Sequence, residues 1–506
     1  MLRGFAPTAL PPQVGEKISL AAPIGDKMVH IPLKLFNTMG KKKQGLKTIE
    51  DRLVKLYTCG PTVYDFAHIG NLRAFVFYDI LKRALLYNDF KVFHVMNITD
   101  VGHLVSDADI GEDKMEKGAE REKKTVWEIA DLYTKAFMED TEKLNIITAD
   151  IICKATDHIK EQIELIEKLE EKGFTYIIED GVYFDTSKLK DYGKLAGTKS
   201  KEGLIPGARV EVVEGKKNPT DFVLWKFSPK DKKRQMEWPS KWGIGFPGWH
   251  IECSAMGMKY LGEHFDIHCG GVDHIPIHHT NEIAQSEAAT GKPLANYWLH
   301  CEFLQVDGQK MSKSLGNFYT LRGLLEKGFS QRTIRYFLLS AHYRTQQNLT
   351  MEGLKKAEET LAGLTDFLDR ITGMEANGEY NKKLGKTTKK AKESFLKALN
   401  DDLNIPSVLS VLFNLVKETN KAVEQNKIGK KNIEEVLKTM KDFDRVLGVL
   451  EHEKTEVPQW VRTLVEEREA ARKGKNFAEA DNIRKKILEA GWIVEDTPRG
   501  PRLRKD

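Results

Sequence analysis

The run from Leu53 to Tyr78, LVKLYTCGPTVYDFAHIGNLRAFVFY, constrains the fold more than any other stretch of the chain. It opens as a short apolar and β-branched segment ending in Tyr57-Thr58-Cys59, is broken by Gly60-Pro61, and turns helical near Gly70-Asn71. A strand that runs through a turn into a helix presents unpaired backbone N–H groups and the positive end of the helix dipole, a setting that suits phosphate. His68 and Asn71 stand at that junction. Cys59 stands at the carboxyl end of the strand, where open α/β sheets bind ligands. Phosphate binding and a metal-competent thiol are thus expected a few residues apart.

At 506 residues the chain exceeds what one core serves, and three or more domains are expected. No apolar run approaches the ~20 residues of a membrane helix, so no membrane partner is expected. The formal charge of +5 is small for this length, so any polyanion must be met by local basic patches. The five cysteines are odd in number and far apart, which argues against a disulfide framework and for a reducing, cytoplasmic setting. Residues 1–30 lack a long apolar segment and read as a disordered extension, with Met28 an alternative translational start.

From Leu33 to about Asp100 strand-like and helical runs alternate, the pattern of βαβ units and a parallel sheet. A charged helical segment is expected from Asp113 to Leu144. An inserted block follows, with a helix over Ile159–Glu171 stopped by Gly173 and a hairpin signal at Asp180-Gly181. Sheet-like sequence resumes at Gly245 and continues to about Val306. From Leu321 onward the chain reads as helical, with segments over Glu352–Ile371, Ala391–Leu399, Ser407–Val423 and Ile433–Leu450. Linkers are expected at Gly373–Thr388 and Glu451–Val457, before a short helical tail. No exposed heptad or long apolar patch calls for a partner copy, and a monomer is expected.

Two sets of residues carry chemistry. His278 and Glu282, four apart at the start of an expected helix, share one helix face and could grip a metal together. With Cys59 and Cys253 they would supply two thiolates, an imidazole and a carboxylate, a tetrahedral set that Zn²⁺ accepts. Each residue alone also reads as core or as solvated helix face, because no Cys-x-x-Cys is present. The second set is the Gly-bounded loop Gly308-Gln309-Lys310-Met311-Ser312-Lys313-Ser314, whose lysines could clamp a triphosphate. On its own such a loop reads as a solvated turn. Neither a Walker A motif nor G-x-G-x-x-G is present.

Together these residues are recognisable. Ala67-His68-Ile69-Gly70-Asn71 and Lys310-Met311-Ser312-Lys313-Ser314 resemble the HIGH and KMSKS pair of class I aminoacyl-tRNA synthetases. Within that class, Tyr57–Asp65, Pro247–Met256 and His278–Ser286 resemble the cysteinyl-tRNA synthetases, as do Asn218–Lys226 and Asn400-Asp401-Asp402-Leu403-Asn404. The resemblance runs from about Pro32 to Arg504.

It implies a Rossmann-type parallel-sheet catalytic domain (32–147 and 243–320) split by a connective insertion (148–242). A stem-contact segment (321–371), a helical bundle (372–450) and an anticodon-binding tail (451–506) would follow. It implies activation of cysteine by ATP with Mg²⁺, then transfer to the 3′ end of tRNA-Cys. Cys59, Cys253, His278 and Glu282 would hold one zinc that selects the thiol, and Trp249 would wall the cysteine pocket, with His250 and His279 crowding the metal. His68, Asn71, Gly270, Gly271 and Asp273 would meet ATP, while Lys310 and Lys313 would serve the transition state alongside His68. A thiol bound as thiolate is a far better zinc ligand than a serine hydroxyl, so no editing domain is required.

Two departures stand out. Asn71 replaces the second histidine of HIGH, so weakened or redistributed phosphate contacts are expected. Gly102-His103-Leu104 replaces the family's usual Asp-Asp-Lys, and His103 reads as a solvated loop histidine before a second metal ligand. The competing reading is the related ligase that joins activated cysteine to an amino sugar in mycothiol synthesis. That enzyme lacks the long C-terminal region, which here carries basic segments such as Arg484-Lys485-Lys486. An inactive RNA-binding relative is disfavoured by the intact metal and phosphate motifs.

Overall fold

The computed structural model describes residues 31–102, 113–197, 214–229, 233–311, 316–376, 378–451, 458–497 and 500–505. The chain divides into two compact units, 1–450 and 451–506. Among the described residues no helix is long and apolar enough to cross a membrane.

In the larger unit five strands pair in parallel, in the spatial order Ala295–Cys301, Phe265–Gly271, Leu53–Thr58, Lys91–Ile98, Ile151–Lys154. Leu56 lies opposite Ile267 on one side and His94 on the other. Their near-continuous burial explains why these strands read as apolar runs rather than alternating ones. From Leu53–Thr58 the chain passes through the Ile69–Tyr87 helix to Lys91–Ile98 and outward to Ile151–Lys154. It returns later on the opposite side with Phe265–Gly271. The strand order therefore reverses between Leu53–Thr58 and Phe265–Gly271. The crevice outside their carboxyl ends is where such sheets bind ligands.

A second, antiparallel sheet is ordered Thr175–Ile178, Gly181–Phe184, Phe222–Phe227, Gly243–Pro247, Trp238–Ser240; it falls in the expected inserted block (148–242) except for Gly243–Pro247, while Ile151–Lys154 inside that block belongs to the parallel sheet. Ile178 pairs with Gly181, so the hairpin turn is Glu179-Asp180 and Gly181 already belongs to the strand. The helix Ile159–Glu171 forms over the expected residues.

Four expectations are corrected. The segment 113–144 is two helices, Lys114–Glu122 and Val126–Lys143, because Lys123 is left-handed (φ 53°) and Thr125 starts a new helix in a capping box with Glu128. Trp249–Leu261 is a helix, not sheet; eight of its first nine residues are buried, so no polar stripe betrays a helical period. The Gly373–Thr388 linker is shortened, since a helix runs over Lys382–Leu399. Leu384, Thr388, Ala391, Phe395 and Leu399 face its core while its lysines face water. The region after Leu321 is also not wholly helical, for Gln347–Leu349 is a strand parallel to Leu304–Val306. The remaining bundle helices are Met351–Thr372, Ile405–Glu424 and Lys430–Leu447.

A buried ion cluster fastens the Ile69–Tyr87 helix to the bundle. Asp79 pairs with Arg83 at 2.8 Å and Arg335 at 2.5 Å, and Arg335 also donates to the carbonyls of Leu144 and Leu447. Burial lifts the Asp79 carboxyl, but the two guanidinium groups outweigh it and hold it below its ordinary range.

The smaller unit is a helical pair, Gln459–Lys473 and Phe477–Glu489, followed by an antiparallel hairpin, Trp492–Thr497 with Gly500–Lys505. Its core is Val461, Val465, Ile483, Ile487, Trp492 and Val494. Arg468 grips Asp496 through two parallel bonds of 2.8 and 2.9 Å. The expected helical tail thus ends in a hairpin. The expected linker at 452–457 lies outside the described residues.

Candidate active site

Cys59 follows the central strand directly, and its N–H donates to the Cys269 carbonyl, which pins the thiol beside the neighbouring strand. Cys253 comes from the Trp249–Leu261 helix, and His278 and Glu282 from the first turns of His278–Thr290. All four are buried, and their donor atoms lie within 4.8 Å of one another. His278 Nε2 is 3.1 Å from Glu282 Oε1, and Cys59 Sγ is 4.0 Å from the same oxygen. Neighbouring donors in a tetrahedral zinc site stand about 3.3–3.8 Å apart, given bonds of about 2.0–2.3 Å. The donor set fits zinc in chemistry, and the distances of 3.1 and 4.0 Å bracket the tetrahedral spacing.

Further histidines hold these donors in place. Glu282 Oε2 meets His268 Nε2 at 2.9 Å, and His278 Nδ1 shares a hydrogen bond with His250 Nδ1 at 3.0 Å. His279 Nε2 lies 3.4 Å from Cys59 Sγ; its Nδ1 is tied to His300, which reaches Thr38. Cys59, His268, His279 and Glu282 form a second close donor group. It contains one thiol rather than two, so the set with Cys253 is the better match to a thiophilic ion. Outer partners of this kind orient metal ligands and fix their tautomers.

The charges agree with a ligand cluster. The hydrogen bond from Cys59 brings the Cys253 thiol down to about 7, while burial and the Cys253 charge push Cys59 well up. Burial disfavours His278 as a cation, but Glu282 and Cys253 outweigh it and raise it to about 10. Burial likewise lifts Glu282, and His268 and His278 outweigh it, holding the carboxylate well below its ordinary range. Metal binding here would displace protons from His278 and Cys59.

The metal-competent cluster lies at one end of a cleft of about 540 Å³. Cys59, Cys253, His278 and Trp249 line that end, and His68, Asn71, Gly271, Asp273 and Lys310 line the rest. The Trp249 ring is 4.5 Å from that of His278, so an apolar wall stands beside the metal-competent cluster.

At the other end His68 caps the Ile69–Tyr87 helix. Its Nδ1 accepts from the Asn71 N–H at 3.1 Å, and its own N–H donates to Asn71 Oδ1 at 3.2 Å. The residue that departs from HIGH is therefore engaged in capping its own helix. Burial lowers His68 to about 4, so the imidazole is neutral. A Cβ on Gly70 would stand 2.6 Å from Met311 Cε, so glycine lets the Lys310-Met311 segment approach the helix. A Cβ on Gly270 would stand 2.5 Å from the His279 ring, which places that glycine behind the metal-competent cluster rather than on the cleft wall.

Lys313 and His103 lie outside the described residues. Gly102 is held by Arg234, which donates to its carbonyl at 2.9 Å and pairs with Asp113. Sequence reasoning missed His268, His274 and His300. The one available signal was a histidine inside each apolar strand at 268 and 300.

Residues 45–359 match the family described as tRNA synthetases class I (C) catalytic domain, and residues 394–451 match the DALR domain. A cysteine–tRNA ligase 1 from Burkholderia lata is 47% identical over 479 residues, covering 94% of this chain and 97% of its own. The cysteine–tRNA ligase of Treponema denticola is 47% identical over 490 residues, covering 92% and 98%. Among solved structures, Mycobacterium tuberculosis methionyl-tRNA synthetase in complex with methionyl-adenylate aligns with a TM-score of 0.56 at 17% identity. The alignment covers 79% of this chain and 90% of that one, a likeness of fold alone. Parallel sheet, switch-point cleft and capped HIGH-type helix define a class I aminoacyl-tRNA synthetase. The identity over nearly the whole length goes further: the chain belongs to the cysteine–tRNA ligase family.

Proposed function

We propose that this cleft carries both steps of cysteine–tRNA ligation: attack of the cysteine carboxylate on the α-phosphate of ATP, then transfer of cysteine to the 3′ end of tRNA-Cys. The observation that carries the reading is the convergence of four buried donors, three of which (Cys59, Cys253 and His278) line the same cleft as His68 and Lys310. Cys59, Cys253, His278 and Glu282 would hold zinc, which supplies a Lewis acid that binds the substrate thiol as thiolate.

Trp249 walls that pocket and excludes water beside the thiol. The amino terminus of the Ile69–Tyr87 helix and the neutral His68 face the triphosphate with donors and without a competing proton. Asn71 keeps its side chain for the cap and offers the helix N-terminus rather than a second imidazole. Asp273 takes the ribose, Gly271 keeps the floor close, and Lys310 with Lys313 offset charge developing on the departing pyrophosphate. ATP arrives with Mg²⁺. The working form is a cytoplasmic monomer, and residues 451–506 read the anticodon.

The test is transfer of labelled cysteine to tRNA in the presence of ATP. Charging is expected. Cysteine-dependent pyrophosphate exchange without charging would transfer the reading to the amino-sugar ligase, and absence of both would remove the catalytic assignment.

A further inference from the structure

Arg73 belongs to the Ile69–Tyr87 helix one turn and a half beyond His68, and only 2% of it is exposed. A buried guanidinium ordinarily finds a carboxylate. Among the described residues Arg73 has no ion-pair partner. Its fork is spent on four backbone carbonyls: Nη1 donates to Glu302 and Phe303 at 2.6 and 2.7 Å, Nη2 to His342 and Thr345 at 3.2 and 2.5 Å.

Those carbonyls belong to the two segments from which the Lys310 hairpin hangs. Glu302 and Phe303 immediately precede the strand Leu304–Val306, whose next residues carry Lys310. His342 and Thr345 precede the strand Gln347–Leu349, which pairs in parallel with Leu304–Val306. The hairpin is anchored to that second strand, since Asp307 N–H donates to the Leu349 carbonyl at 3.0 Å and Gly308 N–H to Asn348 Oδ1 at 2.8 Å. Beyond the lysine segment the chain is tied to the same helix again, by the Ile69 N–H to the Tyr319 carbonyl at 2.8 Å. One helix therefore holds the strand leading into the lysine segment through Arg73, and the segment leading out of it through Ile69.

We propose that Arg73 is a positioning residue for adenylate formation: its carbonyl fork sets the distance between the Lys310 hairpin and the His68 end of the helix. The inference rests on the role given to Lys310 above. Planarity is the reason an arginine is used. Two nitrogens in a fixed plane hold two strand leads at one spacing, whereas a lysine ammonium would satisfy the charge without fixing the geometry. Displacing a reacting group by about 1 Å can cost roughly 100-fold in rate.

The test compares full-length wild type, R73Q, R73K, K310A and R73Q/K310A, with D402N as comparator. Asp402 also holds that loop, accepting from Tyr343 Oη at 2.6 Å and Arg344 Nε at 2.8 Å besides the Phe36 N–H, so D402N loosens the loop without touching the carbonyl fork. Each variant is read for metal content, for kcat and cysteine KM in pyrophosphate exchange and for Tm, and those that keep Lys310 also for trypsin cleavage after it. R73Q is expected to lose roughly 10–100-fold in kcat, with metal content and cysteine KM unchanged. Cleavage after Lys310 should be faster, and R73Q/K310A no slower than K310A alone. R73K should fall between wild type and R73Q, and carries the test alone if R73Q does not fold.

Unchanged cleavage in both Arg73 variants would overturn the proposal whatever Lys310 does. So would equally fast cleavage in D402N at matched Tm, or fully additive losses in the double variant. If K310A keeps wild-type exchange while R73Q is cleaved faster than D402N, the role of Lys310 falls and the positioning role of Arg73 stands.

Discussion

The two ends of the cleft are built by opposite strategies. The end with the metal-competent donors places its groups just past a strand and on two helices, buries them, and braces them with His250, His268 and His279. The phosphate end uses a helix N-terminus, a capping pair, glycines that permit close approach, and a lysine on a hairpin. Under the proposed function, the first would reject a substrate by the identity of one atom, and the second would admit and release a large polyanion. Rigidity is concentrated where discrimination is required, and backbone donors where passage is required.

Several substitutions would separate the ends. Cys253→Ser should abolish metal content and cysteine activation together, by about 1000-fold or more, while ATP still binds; full metal retention would break the assignment. Lys310→Ala should lower kcat of adenylation by roughly 100-fold and leave metal content intact, which metal analysis beside exchange kinetics would check. His268→Ala removes the partner of Glu282 Oε2. It should weaken metal binding by roughly 10–100-fold, measurable by chelator competition, with ATP KM unmoved.

Asn71→Ala removes the reciprocal cap and should cost about 1 kcal/mol of stability, read by denaturant titration, with little change in kcat. A large kinetic loss there would mean that the amide reaches phosphate after all. The smallest effect concerns pH. His68 is lowered to about 4 by burial, so its contribution to stability is present above the unfolded value of about 6.5 and is lost as pH falls toward 4. Pyrophosphate exchange should therefore show no break near pH 6.5 that His68→Gln removes; such a break would give His68 a proton-transfer role.

Much of this was legible from the chain because the motifs are local. Cys59, His68 and Asn71 lie within one strand–turn–helix, and His278 with Glu282 within one helical turn. What was not legible depends on neighbours distant in sequence. His268 meets Glu282 only because the Phe265–Gly271 strand runs beside Leu53–Thr58 under the His278–Thr290 helix. The Trp249–Leu261 helix passed for sheet because it is enclosed nearly all round and so lacks a polar period. Lys382–Leu399 passed in part for linker because its lysines dominate the composition, while six apolar or small side chains decide its face. Lys123 breaks one expected helix in two through a left-handed turn that its residue type does not announce.

The two thiols of the metal-competent cluster have a consequence for inheritance of error under the proposed function. The enzyme that supplies cysteine for translation contains five cysteines, and two of them, Cys59 and Cys253, line its own selective pocket. A lapse that charged tRNA-Cys with serine would replace sulfur by oxygen at those codons in the next copies made. Those copies would discriminate less well and would seed further replacements. If the site selects the thiol as proposed, fidelity in this chain would be self-referential: the accuracy of one generation of the enzyme would set the composition, and so the accuracy, of the next.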